Sequence, residues 1–338
     1  MPAQPLRARM RPLTVVPLAL ASALVLPSCG IAQQLAGQEP GGEPPSTTFE
    51  PTNPPEQTEP TPEEDVGEGQ EISIGLIPWE EAIAVTHLWS VILEEKGYDV
   101  SIEELDVAPT FQGVAQGDVD LFLDTWLPDT HGEYMDEYGE DIEELGAWYD
   151  DATLHLTVPE YVDEVDSIAD LADNADLFDN QIVGIESGSG LAQLTNDEVM
   201  PTYGLDDDFT HDESSTAGML TELDSAIAAE EPIVVTLWRP HPAYAEYDLK
   251  DLEDPEGTLG EGETLESIAR DGFSDDAPEV AEWLGDFNLS PDEIAELTNL
   301  VVNEHEGDEE EGARVWLQDN TDFLDRTLGD HADDINLN

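Results

Sequence analysis

The chain has 338 residues, with 81 acidic against nine basic side chains, a formal charge of −72, seven Trp and a single Cys. So acidic a chain offers no basic surface to meet phosphate, which excludes nucleic acid as a partner, and one Cys leaves no internal disulfide to form. The first element in chain order is the apolar run LTVVPLALASALVL, preceded by Arg7, Arg9 and Arg11 and ending in LPSCG. A positive leader, a short apolar stretch and small residues before a cut site predict a secretory signal over residues 1–28, not a spanning helix.

Leu26, Ser28 and Cys29 resemble the bacterial lipoprotein signal, in which the Cys becomes the lipid-carrying first residue of the mature protein. Cleavage there leaves 310 residues with six bases and all 81 acids, a charge of −75. Self-repulsion of that size opposes a compact fold in dilute buffer, and molar salt screens it. The expectation is a solvated acidic surface suited to a salty exterior. Residues 29–70, rich in Pro, Glu, Thr and Gly, cannot bury enough apolar area to fold and read as a disordered tether.

A folded body starts at EISIGLIPW, an apolar strand, followed by a helix in EEAIAVTHLWSVILEEKGY. There Ala82, Val85, Leu88, Trp89, Ile92 and Leu93 recur at helical spacing, and Gly97 ends the pattern. DVSIEEL predicts a second strand, TFQGVAQGD a short helix and VDLFLDTW a third strand, so a parallel, doubly wound α/β sheet is expected. ATLHLTVPEYV leads into a second α/β unit. It holds QIVGIESGSGLAQL, a helix near Met219–Ala229 and the strand PIVVTLW, and three helices follow from about Pro278. This order builds part of one lobe, all of a second, and returns to the first. The reading is a two-lobed, hinge-closing fold with an inter-lobe cleft: lobe I from 71–155 and 238–338, lobe II from 156–237.

Three Trp stand at strand exits: Trp79 in GLIPWEE, Trp126 in LDTWLPDTH and Trp238 in VVTLWRPH. Pro128 breaks the second of these strands, because Pro donates nothing to a ladder, and ligands of open α/β sheets gather at such exits. Trp89, Trp148, Trp283 and Trp316 mostly lie in helical patterns and read as core. Convergent Trp faces suit a quaternary ammonium, which donates no hydrogen bond and is held by ring quadrupoles.

WEEAIAVTHLW, GDVDLFLDTWLPDTH, GIESGSGLAQ and VVTLWRPH…YDLKDLEDP resemble the glycine-betaine-binding proteins of ABC transporters for osmoprotectant uptake, from about residue 71 to the C-terminus. The resemblance implies a type II periplasmic-binding-protein fold and a cage of Trp79, Trp126 and Trp238 around the trimethylammonium. It further implies His131 and the amides of Gly190 and Leu191 on the carboxylate. Ser189 stands where some relatives carry a Trp, which leaves Trp79 as the third wall. His155 occupies a strand position where choline-binding cousins carry a Tyr and is a further candidate wall. Glu81 stands where those cousins carry an Asp for the choline hydroxyl; it is read as a solvated helix-start acid. His241 is read as bracing its loop.

The function so implied is a lipid-anchored extracellular receptor, monomeric and without cofactor or metal, that passes glycine betaine or a related betaine to an ABC permease and its ATPase. Choline is the alternative ligand. A secreted hydrolase is the contrasting class, and HExxH, GxSxG and a Cys nucleophile are all missing from the sequence. With 81 acids, paired carboxylates arise by chance and signal no acid–base chemistry. A membrane-spanning sensor would need a long apolar segment after residue 30, and the sequence has none.

Overall fold

The computed structural model describes residues 66–337; the expected signal, Cys29 and most of the expected tether lie outside them. The tether reading ends too late. Gly67 is buried, donates to the Lys96 carbonyl at 3.0 Å, and has no room for a Cβ beside the Tyr98 ring, and Gln70 accepts the Asp99 amide, so the exposed stretch 68–70 is held at both ends.

Nine strands form one twisted sheet. They are β1 (Glu71–Leu76), β2 (Asp99–Glu104), β3 (Leu121–Leu127), β4 (Ile142–Pro159), β5 (Gln181–Gly184), β6 (Thr210–Glu213), β7 (Val235–Arg239), β8 (Leu249–Asp251) and β9 (Glu263–Arg270). Their order is β2-β1-β3-β9-β4-β7-β5-β6, with β8 also on β4. The expected parallel sheet is present only in part. β2, β1 and β3 run parallel, as do β7, β5 and β6, but β9 and β4 join the two groups through antiparallel pairs.

The 18-residue β4 is the spine of a two-lobed, type II binding-protein fold. Its residues Ile142–Ala152 pair with β9, and Thr153–Thr157 pair with β7. Three register shifts between Glu144 and Ala152 bend the strand before it changes partners, as bulges do. The chain does not return to the first lobe at Trp238, as the sequence suggested. β8 still pairs with Thr157–Pro159, and the return comes at β9.

Helix α1 (Glu80–Glu95) forms as its spacing predicted, with Ala82, Val85, Leu88, Trp89, Ile92 and Leu93 all buried. Glu80 and Glu81 in its first turn complement the helix dipole, and Gly97 ends it at φ +90°. Four helices, not three, close the chain: Pro278–Asp286, Pro291–Thr298, Glu309–Asp319 and Thr321–Leu328. The last two abut at Asn320, too closely for the spacing to separate them. Trp89, Trp148 and Trp316 pack with Phe287 and Phe323 at centroid distances of 5.1 to 6.0 Å, so these Trp are core.

The six bases among these residues are all engaged. Arg239 meets Asp251, Lys250 meets Asp166, Arg270 meets Asp120, Arg314 meets Glu95 and Arg326 meets Glu293. Lys96 donates to the His331 carbonyl.

Candidate functional site

Trp79, Trp126 and Trp238 come from three separate strand exits and line one small cavity of about 20 Å³. All three are buried. Leu154, Ile185 and Leu191 complete the apolar wall, and Glu81, Thr130, Ser189 and Gly190 supply its polar edge.

Local sequence fixes each wall. Trp79 is the extended residue just before α1, and its indole N–H donates to Glu186 at 2.6 Å. Thr216 holds the other Glu186 oxygen at 3.1 Å. Trp238, in β7, donates its indole N–H to Glu81 at 2.8 Å. The loop after Trp126 is held from β9, where the Glu263 carboxylate accepts the amides of Asp129 and Thr130 at 2.9 and 2.8 Å.

Glu81 is not the solvated acid that the sequence suggested. It is buried, it lines the cavity, and its carboxylate faces Trp238. The first turn of a helix is often exposed, but here the sheet exits of both lobes cover it. Burial, and next the charge of Asp124, push the Glu81 carboxyl well above its ordinary pKa, against the bond from Trp238. Asp124 sits where β3 slips register between Phe122 and Thr125. It is buried with no well-aligned hydrogen bond to either oxygen. Burial lifts its pKa to about 7, and the Trp126 side chain only partly offsets this.

Asp124 keeps its proton in the folded state over a pH range where the unfolded chain has lost it. Its contribution to stability is therefore full below about pH 4 and is lost as pH rises through 7, and the raised pKa of Glu81 acts in the same direction. Asp124→Asn should stabilise the protein at pH 8 by a few kcal/mol (order of magnitude) and have little effect at pH 4. Thermal unfolding in molar salt checks this. An equal change at both pH values would show that Asp124 is not titrating between them.

His131, expected at the ligand carboxylate, does not line the cavity. It is buried behind Trp79, its ring stacked on the indole at 5.7 Å and 10°, with Phe111 at 5.1 Å. Its Nδ1 accepts the Trp126 amide at 2.9 Å, so Nε2 carries the proton and is left without an acceptor among the described residues. Burial pushes its pKa down to about 3, which keeps the ring neutral.

Gly190 and Leu191 open a helix capped by Ser189, whose hydroxyl accepts the Ala192 amide at 3.2 Å. The first amides of a helix have no acceptor within it and suit an anion. Gly is required at 190, since a Cβ there would lie 2.4 Å from the Thr130 carbonyl.

His155 does not face the cage. Strand side chains alternate between faces, so Leu154 takes the cavity side, and His155 turns to the groove of Arg239 and Tyr244, bonding Thr153 at 2.8 Å. His241 does brace its loop, accepting the Ala243 amide at 3.0 Å. Sequence reasoning missed Glu186 entirely; it stands in GIESGSGL one residue after buried Ile185, among 81 acids. Among the described residues no His, Cys, Asp and Glu cluster fits a metal ion.

Two lobes joined by an antiparallel spine, with a small aromatic cavity at the strand exits, define a solute-binding protein. Residues 70–319 match the family described as the substrate-binding domain of ABC-type glycine betaine transport systems, and the chain belongs to that family. It is similar to the glycine betaine/carnitine transport binding protein GbuC of Listeria monocytogenes, at 35% identity over 141 residues. That match covers 42% of this chain and 46% of the relative, so it spans less than half of that protein.

Lactococcal OpuAC, solved closed on glycine betaine, superposes with a TM-score of 0.71 at 30% identity, covering 77% of this chain and 99% of that one. An ABC-transporter choline-binding protein solved with choline gives 0.71 at 28% identity, covering 77% and 92%. The family is one of transport binding proteins, not enzymes. Such proteins take up small solutes on the extracellular or periplasmic side and deliver them to a membrane transporter.

Proposed function

We propose that this chain binds glycine betaine, or a related betaine such as proline betaine, in the tryptophan cavity and delivers it to an ABC permease. The observation that carries the reading is the meeting of Trp79, Trp126 and Trp238 around one small cavity. Indole faces attract a trimethylammonium through their quadrupoles, and the cavity is otherwise mostly apolar. The helix-start amides of Gly190 and Leu191 face the same space and suit the carboxylate of a zwitterion. Lipidation at Cys29 would tether a monomeric receptor to the outer face of the membrane, with the acidic surface suited to high salt.

One observation favours choline: the Glu81 carboxylate lines the cavity and would accept a hydroxyl proton. Calorimetric titration separates the two. Choline would leave the Gly190 and Leu191 amides unmet in a closed cleft, each at about 1–3 kcal/mol. Glycine betaine should therefore bind at least about tenfold more tightly than choline, whereas His131→Ala, which removes the ring stacked on Trp79, should weaken both ligands alike. If choline binds as tightly or more so, the carboxylate assignment fails and Glu81 becomes the specificity residue.

A further inference from the structure

The first residues of α1 reach across the cleft in three consecutive contacts. Trp79 donates to Glu186, which follows β5, at 2.6 Å. Glu80 meets His241 Nε2, beyond β7, at 3.0 Å. Glu81 accepts from Trp238, in β7, at 2.8 Å. β1 and α1 belong to the half of the sheet that ends at β2, whereas β5 and β7 belong to the half that ends at β6. His241 Nδ1 accepts the Ala243 amide, so its Nε2 carries the proton and lies beside Glu80 without the alignment of a hydrogen bond. Trp79 is extended just before the helix, and Glu80 and Glu81, its first two residues, point about 100° apart, so the three fan out to three partners on the facing lobe.

The exchange is reciprocal. A cage Trp of the first lobe is held by an acid of the second, and a cage Trp of the second is held by an acid of the first. Both bonds leave the indole faces turned to the cavity while they tie its opposite walls together. We infer that Trp79-Glu80-Glu81 is an inter-lobe clasp, in which Glu186 and Glu81 are positioning residues that keep the cleft shut on its solute and set how fast the solute leaves. The same contacts couple occupancy to closure, since a wall pulled off the solute must also surrender its bond to the other lobe. For the solute itself the inference rests on the proposed function; for closure it does not.

Glu186 is the residue to test, because it does not line the cavity and acts through Trp79. Glu186→Leu removes the acceptor, Glu186→Gln keeps one, and Thr216→Val frees the second Glu186 oxygen at little cost in volume. Two readouts are needed: hydrogen exchange at the Trp79 indole N–H by NMR without ligand, and stopped-flow dissociation of glycine betaine followed by Trp fluorescence. Glu186→Leu should lose the exchange protection and dissociate about tenfold faster or more. Glu186→Gln should stay within about threefold of the parent, and Thr216→Val should fall between. If Glu186→Leu does not fold, Thr216→Val against Glu186→Gln still decides the matter.

Parent-like dissociation in both Glu186→Leu and Thr216→Val, or a Glu186→Gln as fast as the Leu variant, would overturn the clasp. Should the parent not bind glycine betaine, the proposed function fails, and the exchange protection of the free protein still tests the clasp. Protection in the parent that vanishes in Glu186→Leu supports it, and protection unchanged between them refutes it.

Discussion

Trp126→Ala should raise the dissociation constant for glycine betaine about ten- to thirtyfold, the loss of one desolvated cation–π wall at roughly 1–2 kcal/mol. Trp126 presents a wall from β3, and its side chain bears on Asp124 of the same strand rather than on an acid of the facing lobe. Trp79→Ala and Trp238→Ala should cost more than Trp126→Ala. Each also takes the indole N–H from a carboxyl, half-buried Glu186 or buried Glu81, and an acceptor left unmet is costly, most of all when buried. Trp283 is the control. It is equally buried but packs on His331 at 5.5 Å, away from the cavity. Trp283→Ala should lower thermal stability, as large-to-small core changes do, and leave the affinity of the folded protein near the parent value. Equal losses of affinity at Trp126 and Trp283 would point to general destabilisation and remove the cage.

The second large effect is that of salt on stability. Without residues 1–28 the chain carries 81 acids against six bases, and all six bases are already engaged by acids or, for Lys96, by a carbonyl. The remaining acids repel one another over a screening length of about 30 Å at 0.01 M salt and about 3 Å at 1 M. The melting temperature should rise by about 10 °C or more between those conditions, a change of several kcal/mol in a body of this size. Glycine betaine has no net charge, so its affinity should vary far less over the same range wherever the protein is folded. A melting temperature unchanged between dilute buffer and molar salt would show that the acidic surface does not govern stability.

Much of this architecture was legible in the sequence. β1, α1, β2, β3 and β7 follow from apolar runs and helical spacing, and the three cage Trp from their shared position at strand exits. β9 was not legible. Its segment ETLESIAR carries the buried Glu263 and Ser267, so polar residues interrupt the apolar face that would announce a strand. Both side chains are buried for tertiary reasons, Glu263 to hold the loop of Asp129 and Thr130. Without β9 the sheet looked wholly parallel, and the late return of the chain to its first lobe went unseen.

At the site, composition hid the acids. Glu81 and Glu186 are chemically indistinct from the acids of the surface, and what sets them apart is the indole N–H that each one meets across the cleft. No local pattern records such a contact, because its partners lie 157 and 107 residues away. His155 failed for a simpler reason: strand alternation gives the cavity to its neighbour Leu154.

The central claim is that the cavity recognises a fully methylated ammonium on a small carboxylate. Titration of Trp fluorescence in molar salt with glycine, its mono- and dimethyl derivatives and glycine betaine tests it most directly. All four share the carboxylate and differ only in how many N–H donors the cation keeps. The account predicts that affinity rises with each methyl and is greatest for glycine betaine, since aromatic faces reward a cation that has no water-bonding protons to lose. Equal affinity across the series, or tighter binding of glycine itself, would contradict it.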